Sequence, residues 1–352
     1  MSSSTRRERL LLALFFAATL GLGVLLRWDL AAGLSTALGI DFADLRHAHS
    51  HLGFYGYLTI AWWLVLRERA GISIAARTTY FYAAAVAVTS ALFAAIGYAA
   101  PTIVLSTLIA AFWVVAAWRQ SKAPGWLAVA PWGVVLGLLL IPAIAVTSRR
   151  DFALSRQLAH VFVASMLLLT FVPVALAALR IPRVPPLAWI ATTTIGSTYL
   201  VFATTWPWPL GLFLTLAGVA LMLSLHRRLT GPWWLVAAWW GLALGLVVLG
   251  VTPPLQTEPM RLVALHYTVL GPIASTLLHH LAPGSAARRA YLFYPALAAL
   301  GTMLAAMLAE PVIGYVPAMT IAAWAGSALA LLAIGLLLVR RGGAAQGVSS
   351  AM

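Results

Sequence analysis

Twelve apolar stretches, each long enough to cross a bilayer, leave this chain almost no choice of fold. A helix spans hydrocarbon with roughly 17–25 apolar residues. Such stretches run at 10–27, 46–66, 78–98, 101–118, 126–147, 153–178, 186–206, 208–225, 233–251, 260–280, 290–309 and 314–339. In lipid a helix satisfies its backbone polar groups within one segment. The sequence therefore predicts an all-α, polytopic membrane protein of about twelve transmembrane helices, with residues 1–352 forming a single transmembrane domain. Hydrophobic residues make up 62% of the chain and charged residues 9%, which fits hydrocarbon as the solvent because charge is what hydrocarbon tolerates least. Pro and Gly clusters mark the connections, among them Pro185-Pro186, Trp206-Pro207-Trp208-Pro209 and Pro253-Pro254. The first stretch follows a basic segment but ends in Leu25-Leu26-Arg27-Trp28, without a small-residue cleavage site, so it reads as a retained span. No internal repeat is evident.

The formal charge of +14 would suggest a nucleic-acid partner in a soluble protein. Here the basic residues lie in short connections, so they read as topology signals, with the lipid bilayer as partner and no nucleic acid. If the N-terminus is inside, the inner segments hold 16 of the 22 Lys and Arg residues, including Arg6, Arg67, Arg69, Arg227, Arg288, Arg289, Arg340 and Arg341. The outer segments hold Arg27, Arg46, Arg149, Arg150, Arg156 and Arg261, together with Asp29, Asp41, Asp44, Asp151, Glu258 and Glu310. This bias predicts cytoplasmic termini in a bacterial inner membrane. Cysteine is absent, which excludes disulfides, thiolate metal sites, iron–sulfur clusters and c-type haem attachment. A metal would have to be held by imidazole, carboxylate or Met sulfur.

The histidines are not scattered. His47, His49 and His51 open the second span, His160 lies in the sixth and His266 in the tenth, and all three spans run from outside to inside. Counted from Asp44, Asp151 and Glu258, His51, His160 and His266 lie seven, nine and eight residues in, which places them roughly 10–14 Å deep. Intramembrane imidazoles at one depth are candidates for a shared metal or haem. His47 and His51 share a helix face, and His49 points nearly opposite. Asp44 is the expected N-cap, and His51 the preferred ligand with His47 second. His49, His160 and the others complete a possible histidine-only metal set. Arg46, Arg156 and Arg261 stand one to two turns above the histidines, where the carboxylates of an edge-on haem would need cations. For each arginine alone, snorkelling to the interface is the plainer explanation. His226 reads as a headgroup contact, and His279 and His280 lie too far inward for the outer site. Trp206 and Trp208 read as interfacial aromatics.

Leu45-Arg46-His47-Ala48-His49-Ser50-His51-Leu52-Gly53-Phe54-Tyr55-Gly56 resembles the second helix of the haem–copper oxidase superfamily, with cbb3-type oxidases and nitric oxide reductases nearest. His266-Tyr267-Thr268-Val269 is similar to its ligand-bearing tenth helix, and His160 falls where the family places a histidine of its second metal. NnrS-type haem and copper membrane proteins of nitric oxide metabolism are similar through the His-Ala-His element. Two departures stand out. The seventh span lacks the family's His pair, and the tenth has one outer histidine in place of two closely spaced ones. The resemblance implies haem b on His51 and His266, with copper or another transition metal at His160, acting in electron transfer or in O2 or NO binding or reduction. Its partners would be a periplasmic electron donor or subunits of a respiratory complex. The alternatives are a histidine-only copper or zinc protein, a non-catalytic accessory subunit, and a transporter. Transport fits least, because the middles of the spans are almost entirely Ala, Leu, Val and Gly.

Overall fold

The computed structural model describes residues 3–147, 150–202, 207–226, 228–252, 257–281 and 286–338. Arg149, Trp206, Arg227, Pro253, Pro254, Arg340 and Arg341 lie outside the described residues, as do the side chains of Arg6, Glu258, His280, Arg288 and Arg289. Sixteen α-helices are described, in chain order α1 (Ser3–Ala32), α2 (Leu34–Leu38), α3 (Phe42–His51), α4 (Thr59–Ala70), α5 (Ala76–Ile96), α6 (Ala100–Gln120), α7 (Ala130–Thr147), α8 (Phe152–Met166), α9 (Val172–Ala178), α10 (Pro186–Phe202), α11 (Gly211–Leu225), α12 (Trp233–Val251), α13 (Glu258–Thr268), α14 (Ala274–Leu281), α15 (Ala286–Ile313) and α16 (Tyr315–Leu338). No strand occurs among the described residues. Nine candidate spans in that set are long and apolar enough to cross a membrane, so the chain is an all-α, multi-pass membrane protein.

Three pairs of these helices are single rods, each interrupted by a π-helical segment. Leu52–Leu58 joins α3 to α4, Leu167–Phe171 joins α8 to α9, and Val269–Ile273 joins α13 to α14. Local sequence accounts for the breaks. Pro272 lies within the last segment and Pro173 two residues after the end of the second, and proline removes the donor that a regular turn requires. In the first segment, Gly56 lets the Phe15 ring of α1 press against the backbone where a Cβ would clash. Carbonyls in two of these segments take side-chain donors. Tyr82 donates to Tyr55 O at 2.7 Å, Thr59 to Phe54 O at 2.7 Å and the Trp189 indole to Leu168 O at 3.1 Å. Hydrocarbon offers no water for such groups.

The rods form a closed ring. Neighbours in sequence pack together from α1 through α3, α5, α6, α7, α8, α10, α11, α12, α13, α15 and α16, and α16 packs back on α1. Inside it, α9 packs on both α4 and α14. The rod of α8 and α9 is the most buried of the candidate spans, with 83% of its apolar window buried against half or less for the others. Burial changes along the interrupted rods. Residues 55–66, 164–176 and 271–277 are buried without a break, but 157–160 are all partly accessible. Four consecutive residues cover every face of a helix turn, so this rod is less tightly enclosed at its N-terminal end than along 164–176.

That end repeats three times around the ring. Asp41 caps α3 by accepting from Ala43 N and Asp44 N, Asp151 caps α8 by accepting from Leu154 N, and Thr257 caps α13 by accepting from Met260 N. Arg46, Arg156 and Arg261 follow their caps by five, five and four residues, and His51, His160 and His266 by ten, nine and nine. The structure thus contains a threefold repeat that the sequence conceals, because only a cap, an arginine, a histidine and a π break recur within interchangeable apolar residues. It also corrects the expected cap of the second span. Asp41 fills that role, and the Asp44 carboxylate sits against Gly97, which has φ 59°. At the opposite end, Arg67 pairs with the buried Glu8, and Arg9 with Glu68 at 3.1 Å, tying α1 to α4.

Candidate functional site

His47, His49 and His51 divide between two faces of α3, as their spacing requires. His51 donates from Nδ1 to His47 O at 2.9 Å, and its ring packs at a tilt 4.1 Å from Phe93 of α5 and 5.1 Å from Tyr55. His47 lies on the same side, edge-on to Tyr98 at 4.6 Å, with the Tyr98 hydroxyl 3.2 Å from Nδ1. His49 faces α1. Its Nδ1 donates to Thr19 O at 3.0 Å, and Gly23 makes room for the ring, because a Cβ there would lie 3.1 Å from His49 Cε1.

On α13, His266 donates from Nδ1 to Leu262 O at 2.7 Å, and its Nε2 lies 3.4 Å from Arg27 Nη2. Arg27 comes from α1, one turn beyond Gly23. The His49 ring lies against Gly23 and the His266 ring against Arg27, so both imidazoles border the same turn of α1. The structure therefore gathers Arg27, His49 and His266, from three helices, into one partly buried polar cluster.

His160 lies on α8, one turn after Arg156. Arg46 and Arg156 are exposed, and Arg261 donates from Nη1 to Val201 O at 3.1 Å. Of the three histidines expected to converge, His266 lies against Arg27 of α1, and His51 packs with His47 against Phe93 of α5. Among the described residues, no group of three or more His, Asp or Glu side chains is placed to hold one metal ion. His279 is exposed, with its ring edge-on to Trp234 at 6.0 Å, and His226 ends α11 exposed.

The chemistry of the Arg27 cluster follows from its hydrogen bonds. A carbonyl oxygen only accepts, so the Nδ1 atoms of His49, His51 and His266 carry the protons and each Nε2 presents a lone pair. Histidine ligands are commonly oriented this way, with one nitrogen tied to the backbone and the other toward the metal. In His266 that lone pair receives Arg27. The cluster thus brings together two neutral imidazoles and a cation, and Arg27 occupies the His266 lone pair that a metal would take. Sequence reasoning missed Arg27, which it counted only as an outer charge, and ranked His49 below His51. The available signal was that Arg27 closes a long apolar run at the depth of the histidines.

No family model matches this sequence, and neither does any curated protein.

Proposed function

We propose that the protein binds haem b at the end of the bundle that carries the histidines, with His266 and a histidine of α3 as axial ligands. The observation that carries this reading is the meeting of His49 and His266 around Arg27, with both Nδ1 atoms fixed on backbone carbonyls. It favours His49 over His51 as the partner of His266. A haem can be held by two imidazoles, which this cluster supplies, whereas a structural zinc site takes four protein ligands. The resemblance to haem–copper oxidases and the basic residues of the expected inner connections support the same reading. In this reading the site lies toward the outer face of a bacterial inner membrane, with both termini in the cytoplasm. With two imidazoles as its ligands, the bound haem would supply one-electron transfer. Arg27 would balance carboxylate charge, and Thr19 O and Leu262 O would keep both imidazoles neutral and aimed.

Protein purified after haem-replete expression should show a Soret band that shifts on reduction. H49A and H266A should each lose it while eluting as folded, monodisperse protein, and H51A should keep it. Loss in H51A with retention in H49A would return the ligand to His51. A Soret band that survives in the H49A/H266A double variant would defeat the proposal.

A further inference from the structure

We propose that a small cavity between α1, α4 and α5, at the end of the bundle opposite the histidines, is a binding site for one ordered water molecule that joins Glu8, Trp63, Arg67 and Thr79. The buried indoles single out this place. Six tryptophans are buried among the described residues. Five donate to protein acceptors: Trp62 to Gln120 Oε1, Trp113 to Thr59 Oγ1, Trp126 to Pro182 O, Trp189 to Leu168 O and Trp239 to Thr276 Oγ1. Trp63 is the sixth. It is 5% exposed, and its Nε1 has no acceptor among the described residues. Neither hydrocarbon nor an apolar core can satisfy such a group. What Trp63 does border is a cavity of about 10 Å³, lined also by Glu8, Arg67, Thr79 and three aliphatic side chains. One water needs roughly 10–15 Å³ by that measure.

The lining matches water group for group. Arg67 pairs with Glu8 through Nη1, while its buried Nη2 is a second donor with no acceptor among the described residues. The buried Glu8 carboxylate, ionised by that pair, only accepts. Thr79 donates its hydroxyl proton to Ala75 O at 3.4 Å and so offers lone pairs. Two N–H donors and two oxygen acceptors thus face one cavity, and water brings two lone pairs and two O–H groups. An anion would meet the Glu8 carboxylate, and a metal cation would meet the two N–H groups, so neither fits. A buried ion pair is favourable only when its remaining protons and lone pairs are also bonded. The water does this for Glu8 and Arg67 while tying α1 and α4 to α5. The assignment does not depend on the haem reading, because the two sites share no residue.

The test is radiolytic labelling of detergent-purified protein, read residue by residue by mass spectrometry. Radiolysis makes hydroxyl radicals wherever water sits, so a side chain beside a bound water is oxidised even where bulk solvent does not reach. Trp113 is the internal reference, since it is 4% exposed and its indole is bonded to Thr59. In the unaltered protein Trp63 should oxidise severalfold faster than Trp113. T79I replaces the hydroxyl with an ethyl group and should lower the Trp63 rate to that of Trp113. T79S keeps the hydroxyl and should leave the rate high. A density map fine enough to show waters should place one peak within hydrogen-bonding distance of Trp63 Nε1, Arg67 Nη2, Thr79 Oγ1 and the Glu8 carboxylate. Should T79I fail to fold, the comparison within the unaltered protein and the map decide. Equal oxidation of Trp63 and Trp113 overturns the proposal, as does a Trp63 rate that T79I leaves unchanged, or a map with no such peak.

Discussion

Removing one hydroxyl, in Tyr82→Phe, tests whether the π segments depend on side chains from neighbouring helices. Tyr82 is fully buried on α5, and its hydroxyl donates to Tyr55 O inside the first π segment at 2.7 Å while accepting from the Trp113 indole at 3.2 Å. The variant keeps the ring and its packing against Trp63 at 4.5 Å. Trp113 retains its bond to Thr59 Oγ1 at 2.9 Å, so the uncompensated loss falls on Tyr55 O. A buried acceptor left without a donor costs about 1–3 kcal/mol, but hydrogen bonds between membrane helices average only about 0.6 kcal/mol. The expected loss is about 1–2 kcal/mol, above that average because the π register loosens the backbone ladder at this carbonyl. The control is Tyr267→Phe, which removes a 2.9 Å bond to Ala238 O in the uninterrupted α12 and should cost about 0.5 kcal/mol. Reversible unfolding by titration with denaturing detergent, followed by helicity, measures both. Equal losses in the two variants, or a loss below about 0.3 kcal/mol in Tyr82→Phe, would refute the dependence.

Gly97→Ala should destabilise by about 2–4 kcal/mol, because φ 59° and ψ −141° exclude a side chain there and the new Cβ would meet the Asp44 carboxylate; thermal melting in detergent checks it. Glu8→Gln should cost about 1–2 kcal/mol, since it strands Arg67, and the cost is moderated because that guanidinium is a quarter exposed; detergent unfolding measures it, and an unchanged midpoint would count against the pair. Gly23→Val should push His49 off Thr19 O and reduce haem retention about tenfold, the equivalent of about 1.4 kcal/mol. Gly21→Val, where a Cβ meets nothing within 4 Å, should retain haem as the parent does. Haem content per purified protein decides between them.

The helical membrane fold was readable because apolar length has one physical meaning in a bilayer. The spans predicted at 78–98, 101–118 and 233–251 lie within a few residues of α5, α6 and α12. The grouping of the histidines was only half readable. Periodicity separated His49 from His47 and His51 correctly, but no periodicity says which face of α3 meets which neighbour. Thr19 O and Gly23 made that choice by offering His49 an acceptor and room for its ring. Arg27 was hidden for a related reason: a cation at the end of an apolar run looks the same whether it faces lipid headgroups or an imidazole across the bundle. The repeat was hidden because apolar residues exchange freely while caps and π breaks persist as geometry.

The π segments also act as rotational offsets. Each residue in an α-helix turns the chain by about 100°, so one surplus residue in a bulge re-aims everything on one side of it by roughly that angle while barely changing the rod's length. Gly271, Pro272 and Ile273 are packed with the core; with that lower half held fast, the bulge above it sets the compass bearing of His266. The residue count of Val269–Ile273, more than any side chain in it, decides whether that imidazole looks toward Arg27 or away.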